Sequence, residues 1–169
     1  MKRWSDWGWL WMLPTWRIEQ WTKPSECFGG TLWASHHNSR TLVPGQRQLS
    51  DHQMRQVIAH DGVIGTALDA WMLYPGWRKG ETDPQVVKLE AMADHIDYVC
   101  QMAGNVRHSA IGSDLDGGFG TEQTPGDLNS IADMQRLDAI LSKRGYSDED
   151  IDAIFHNNWM RIFRQMFAA

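Results

Sequence analysis

The sequence predicts an α/β fold built from about three consecutive βα units. Three observations predict it. Short, continuously apolar segments alternate with longer segments of helical periodicity. Each loop that leaves a strand is long and polar or glycine-rich, whereas each return from helix to strand is short. Three parallel strands would leave two sheet edges uncovered, so the count is meagre for a free-standing sheet. It fits the last part of a (β/α)8, TIM-type barrel, whose chemistry gathers at the strand C-termini.

The first element is expected to be an atypical amphipathic helix within residues 1–22, where Trp4, Trp7, Trp9, Trp11, Trp16 and Trp21 recur at irregular helical spacing. The same stretch begins like a weak signal peptide. However, Asp6 interrupts it, Pro14 ends it and no A-x-A cleavage site follows. It is also shorter than the ~20 apolar residues of a membrane span. A segment of a larger protein, with its Trp face packed on other structure, fits equally well. Pro24, Gly29 and Gly30 make "TKPSECFGG" a loop. The chain thus divides into a Trp-rich segment and loop, 1–30, and the barrel part, 31–169.

Thr31–Ser35 reads as a short buried strand. "HNSRTLVPGQRQLS" is the polar loop after it, and Ser50 or Asp51 caps a helix to about His60 with Met54, Val57 and Ile58 inward. "GVIGTAL" (62–68) is a strand buried on both faces. "DAWMLYPGWRKGETD" is the second long loop. A helix is expected to start near Pro84 and run through "QVVKLEAMADHIDYVCQMAG" until Gly104 stops it. "SAIGS" (109–113) is the third strand and "DLDGGFGTEQTPGD" its loop. The helix "SIADMQRLDAILSKRG" ends at Gly145, and Ser147 caps the last helix with Asp150 in the capping-box position.

The chain has 169 residues, is 42% hydrophobic and carries a net charge of −5. That suits one ordinary domain and argues against a nucleic-acid partner, which needs a basic face. Cys27 and Cys100 form no CxxC pattern, which suggests a reducing compartment or simply no dependence on disulfides; a cytoplasmic location is expected.

Two motifs sit where strands end. Asp114 opens "DLDGGFG", a sequence that suits a simple turn or a catalytic carboxylate at a barrel mouth. A calcium loop is excluded by spacing, because Gly118 and Phe119 occupy the fifth and sixth positions. His36 and His37 follow the first strand. If that strand continues through them, alternation puts Leu32, Ala34 and His36 on one side and His37 on the other. His36 is then either a metal ligand or a plain hydrogen-bonding residue. Arg40 and Arg47 are carboxylate-binding forks or solvated loop charges. His95, mid-helix beside Asp94, suits a buried structural role; His52, His60, His108 and His156 stand alone.

Taken together, "SHHNSRTLVPGQRQLSD", "ADHIDYVCQMAG", "AIGSDLDGG" and "NNWMRIF" resemble the C-terminal half of the renal (membrane) dipeptidase family, over roughly residues 31–167. The resemblance implies a metal-dependent amidohydrolase-type barrel that hydrolyses dipeptides with two zinc ions bridged by a carboxylate. It implies His36 as a zinc ligand at the end of the sixth strand. Arg47, eleven residues on, would bind the substrate carboxylate, and Asp114 would handle the proton of the attacking water. His95 matches a helix histidine with no ligand role, and ligation does not extend to His37. The family's other metal residues, a His-x-Asp, a bridging Glu and a further His, have no counterpart upstream of residue 31. The resemblance therefore implies a truncated form, either inactive or an interaction module, or else completed by a companion N-terminal half or another copy of the chain.

Overall fold

The structure is a computed structural model that describes Trp11–Met12 and residues 30–167. Its strands are β1 (Trp11–Met12), β2 (Leu32–Trp33), β3 (Ile64–Ala67) and β4 (Ser109–Ser113). β1 pairs in parallel with β2, Trp11 opposite Leu32, and β3 pairs in parallel with β4, Ile64 opposite Ser109. A parallel bridge between Ala34 and Ile64 joins the two pairs. Every residue of β3 is buried, as an uncharged strand covered on both faces requires.

β1 corrects the expected N-terminal helix at the one place where the described residues test it. Trp11 and Met12 are extended because β2 offers a parallel edge, and tertiary pairing overrides the helical spacing of the tryptophans. The other residues of that helix, and the loop up to Gly29, lie outside the described residues.

The helices lie between and after the strands. α1 (Asp51–Ala59) begins at Ser50, whose hydroxyl accepts from the Gln53 backbone while the Gln53 side chain accepts from the Ser50 backbone N–H. At nine residues it is too short to stand alone. Met54 and Val57 hold it by packing on Leu32, Ala34, Leu49, Ile64 and Val99. α2 (Ala70–Leu73) is a single turn within the stretch expected to be loop. α3 (Leu89–Ala103) starts later than expected, because Val87 is extended and its carbonyl accepts from Gly126 N–H at 2.9 Å. Gly104 ends it at φ 70°.

α4 (Arg136–Lys143) and α5 (Asp148–Asp152) follow, the latter capped by Ser147 and Asp150 as the sequence indicates. One π-helical turn (Ala153–Asn157) leads into α6 (Asn158–Phe167). Leu68, Leu89, Met92, Ile96, Leu137, Leu141 and Ile154 form the larger core between these helices and the sheet. Each such buried side chain contributes roughly 1.5–3 kcal/mol, more than the ~1 kcal/mol of a cap. Packing therefore dominates, and the caps set where the helices begin. "NNWMRIF" is a structural motif. Asn158 donates to the Val106 and Ser109 carbonyls, each at 2.8 Å, and Trp159 Nε1 donates to Ile111 O at 2.8 Å, tying α6 to β4. No helix among the described residues is long and apolar enough to cross a membrane.

Candidate active site

The site begins where three strand ends converge. A Cβ built on Gly65 or on Gly112 would lie 2.2 Å from the same atom, the Ser35 carbonyl oxygen. Only glycine leaves room for the three backbones to meet there. His36 follows Ser35 directly, and Asp114 lies two residues past Gly112, so the sequence-predicted ligand and acid both sit at the C-terminal ends of the strands.

The ladder beside β2 explains the histidine pair. Ala34 N–H donates to Val63 O, Gly65 N–H to Ala34 O, and then His37 N–H, not His36 N–H, donates to Gly65 O. One extra residue is inserted on the β2 side, in the manner of a bulge. The expected alternation is therefore broken. The two imidazoles do not point to opposite sides but stack, with centroids 5.2 Å apart and planes at 29°. His36 Nδ1 is hydrogen-bonded to the Ser35 hydroxyl at 2.7 Å, which leaves Nε2 as the nitrogen open to a ligand. His37 is buried, and neither of its ring nitrogens has a hydrogen-bond partner. Burial, reinforced by the charges of His36 and Arg47, lowers its pKa to about 3, so it is neutral at physiological pH.

The two loop arginines differ in use. Arg40 donates from Nε to the Gly45 and Gln48 carbonyls and from Nη2 to Gln46 O, clamping its own loop. Arg47 is half-buried with its guanidinium over the Trp71 ring, 5.8 Å from the centroid, and its buried Nε has no partner.

Asp114 is part-buried and has φ 64°, next to Ser113 at φ 37°. Left-handed backbone costs a non-glycine residue about 1–2 kcal/mol, and such strain collects at functional positions. Asp114 interacts with a second carboxylate, Asp69, just past β3. Burial raises the pKa of Asp69, and the charge of Asp114 raises it further against the opposing hydrogen bonds of Gln123 and Trp71. Gln123 Nε2 donates to both Asp69 oxygens at 2.9 Å, and Trp71 Nε1 donates to Oδ2. Trp71 thus touches both Arg47 and Asp69, and Gln123 holds Asp69 from a later loop.

Asp69 and Asn38 belong to this arrangement and were not singled out from sequence. Asp69 had a visible signal, since it follows an apolar strand as Asp114 does. Asn38 had none. It is buried and acts as a strand extension, accepting from Ala67 N–H at 2.8 Å and donating to the Ala67 and Met72 carbonyls. His95 holds the same loop from α3. Its Nδ1 accepts from Ser39 N–H at 3.0 Å, and it bonds to the Met72 backbone. His60 and His108 are also structural, each donating from Nδ1 to a backbone carbonyl, of Gly30 and Gly62 respectively. Cys100 is a free, buried thiol; Cys27 lies outside the described residues.

The sequence model of the membrane dipeptidase family, peptidase family M19, matches residues 32–169. The chain belongs to that family. Among its relatives in this family are an uncharacterized protein from the pqqA 5′ region of Klebsiella pneumoniae, 31% identical over 80% of this chain and 47% of that protein, and the dipeptidase ataJ of Aspergillus terreus, 30% identical over 78% of this chain and 30% of that protein. This dipeptidase-family chain therefore spans less than half the length of these relatives. Among solved structures, it is similar to a metallo peptidase of Rhodobacter sphaeroides that holds a phosphinate mimic of L-Ala-D-Ala (TM-score 0.76, 21% identity, 88% of this chain and 40% of that one). It is also similar to the probable dipeptidase PvdM of Pseudomonas aeruginosa (TM-score 0.75, 22% identity, 89% and 48%).

Family membership implies a metal. His36 fits as a single ligand, with Nδ1 held by Ser35 in the way outer-shell partners orient a metal-binding imidazole. The set does not fit. Among the described residues no group of three His, Cys, Asp or Glu side chains could hold a metal ion, whereas a zinc site takes three or four protein ligands.

Proposed function

We propose that this chain forms the substrate-carboxylate side of a dipeptidase active site and is the closing part, about three βα units over residues 31–169, of a (β/α)8 barrel. In this reading Arg47 holds the terminal carboxylate of a dipeptide. Asp114 takes and returns the proton of the attacking water, and His36 contributes one imidazole to the zinc centre that the family resemblance implies. The observation that carries the reading is Arg47, a half-buried guanidinium packed on Trp71 in the loop that follows β2. Selection for short substrates follows, because a fork that needs a free carboxylate beside the scissile bond excludes long chains.

Binding tests this without requiring turnover. L-Ala-L-Ala is expected to bind the purified chain, and its C-terminal amide at least about 10-fold more weakly, since hydrogen bonds to a charged group contribute ~1.5–3 kcal/mol. Arg47→Met should erase that preference, and Arg47→Lys should restore only part of it. Equal binding of the dipeptide and its amide by calorimetry or NMR titration would count against the anchor.

Hydrolysis further requires metal ligands from beyond residues 30–167, supplied by a companion N-terminal half or another copy of the chain. A second reading, an inactive fragment or interaction module, draws on the lack of a three-ligand cluster among the described residues. Elemental analysis separates the two. The chain purified alone should hold well under one tightly bound zinc and cleave no dipeptide. Gain of both on adding a companion half supports the enzyme, and no gain from any such partner supports the module.

A further inference from the structure

Asp69 is a buried carboxylate, 6% exposed, just past β3. Among the described residues no cation pairs with it. Its oxygens accept from two neutral side chains, Gln123 Nε2 at 2.9 Å to each and Trp71 Nε1 to Oδ2. A charge buried among neutral donors is costly, so stability alone does not call for a carboxylate at this position. Its use lies with what it holds.

What it holds is the ring on which Arg47 lies. Trp71 belongs to the single turn α2, and the Arg47 guanidinium sits 5.8 Å from its centroid. The loop that carries Arg47 is fastened separately. Arg40 Nε donates to the Gly45 and Gln48 carbonyls, and Gln48 Nε2 donates to Met72 O at 3.0 Å, in the turn beside Trp71. These bonds fix the backbone of the loop but not the end of a long arginine side chain. The ring does that.

We propose that Asp69 and Gln123 are positioning residues for the carboxylate anchor: they fix the Trp71 indole, and the indole face fixes the Arg47 guanidinium. The proposal rests on the reading of Arg47 as that anchor. An arginine already set on a ring loses less freedom when a carboxylate arrives. A negative acceptor on the indole N–H also enriches the ring face, which strengthens its attraction for a cation. Without Asp69 the indole is free to turn, and the guanidinium loses its platform.

Titration of the full chain with L-Ala-L-Ala and its C-terminal amide tests this, with the indole N–H signals of Trp71 and Trp159 followed by NMR. Trp159 is bonded to Ile111 O and reports the fold away from Asp69. Asp69→Leu is expected to cut the preference for the free carboxylate from about 10-fold to about 2-fold or less, to move the Trp71 signal and to leave the Trp159 signal in place. Asp69→Asn should keep the preference within about 3-fold of wild type, because its oxygen still accepts from the indole and a flipped Gln123 amide can accept from its NH2. Should Asp69→Leu also displace the Trp159 signal, Trp71→Phe decides, since it keeps a ring but removes the bond to Asp69, and the same loss of preference is expected. A full preference in Asp69→Leu or Trp71→Phe would overturn the positioning role and spare the anchor. Loss in Asp69→Asn as deep as in Asp69→Leu would overturn it in favour of a direct effect of the Asp69 charge. Equal binding of dipeptide and amide by the wild type would bring down the anchor and the positioning role together.

Discussion

Gly112→Ala is expected to lower the stability of the chain by about 3 kcal/mol or more and to disorder the site at the same time. The new Cβ would lie 2.2 Å from the Ser35 carbonyl oxygen and 2.8 Å from the Gly65 carbonyl carbon and oxygen. All three neighbours are backbone, so no side chain can rotate away. Relief requires β3 or the segment after β2 to move, and that segment carries His36 one residue beyond the point of collision. Gly65→Ala meets the same carbonyl and should behave alike. Gly76→Ala is the control. Its Cβ would meet nothing within 4 Å, although φ 78° is unfavourable for alanine, so the expected cost is only ~1 kcal/mol. At roughly 2–4 °C per kcal/mol for a chain of this size, thermal unfolding should separate Gly112→Ala from wild type by about 10 °C. A midpoint within a degree or two of wild type would mean that the strand ends do not converge on Ser35.

His95 gives the second large effect, in stability against pH. The buried ring is held neutral, its pKa lowered to about 4 mainly by burial. The unfolded chain protonates near the ordinary histidine value of about 6.5. Between those two values the unfolded state binds more protons, so the stability contributed by neutral His95 is complete above pH 6.5 and is lost as pH falls toward 4. From pH 7.5 to 5.0 the loss is about 2 kcal/mol, and His37, lowered to about 3 chiefly by burial, adds a similar amount with the same sign. His95→Gln removes one titrating group. Urea unfolding should show a pH dependence cut by about half, together with a uniform cost of about 2–4 kcal/mol for the disturbed bonds to Ser39 and Met72. An unaltered pH slope in that variant would show that His95 is not the group held neutral.

Much of the frame is legible in the residues because it depends on neighbours in sequence. Ser50 with Gln53 and Ser147 with Asp150 mark helix starts through bonds spanning three residues. The apolar run 62–68 reads as a strand covered on both sides, and its centre, Ile64–Ala67, is one. The late start of α3 was not legible, since Val87 is kept extended by Gly126, far along the chain. Nor was β1, where a parallel partner at Leu32–Trp33 outweighs the spacing of the tryptophans. Half of the candidate site could be read. Arg47 and Asp114 emerge from motifs, and Asp69 could have emerged by the same logic. Asn38 could not, because its bonds go to the Ala67 and Met72 carbonyls, about thirty residues away.

By itself the sequence determined the order of the main strands and helices after residue 30, the family, and the residue types offered at each strand end, because periodicity, caps and motifs act over a few residues. Only the tertiary structure decided that His36 and His37 stack, that Arg47 packs on Trp71 while Arg40 is consumed by its own loop, and that Gln123 and Trp71 hold Asp69. Those outcomes hang on a single inserted residue beside β3 and on two glycines that let three backbones touch, and a contact between distant segments leaves no local trace in the chain that makes it.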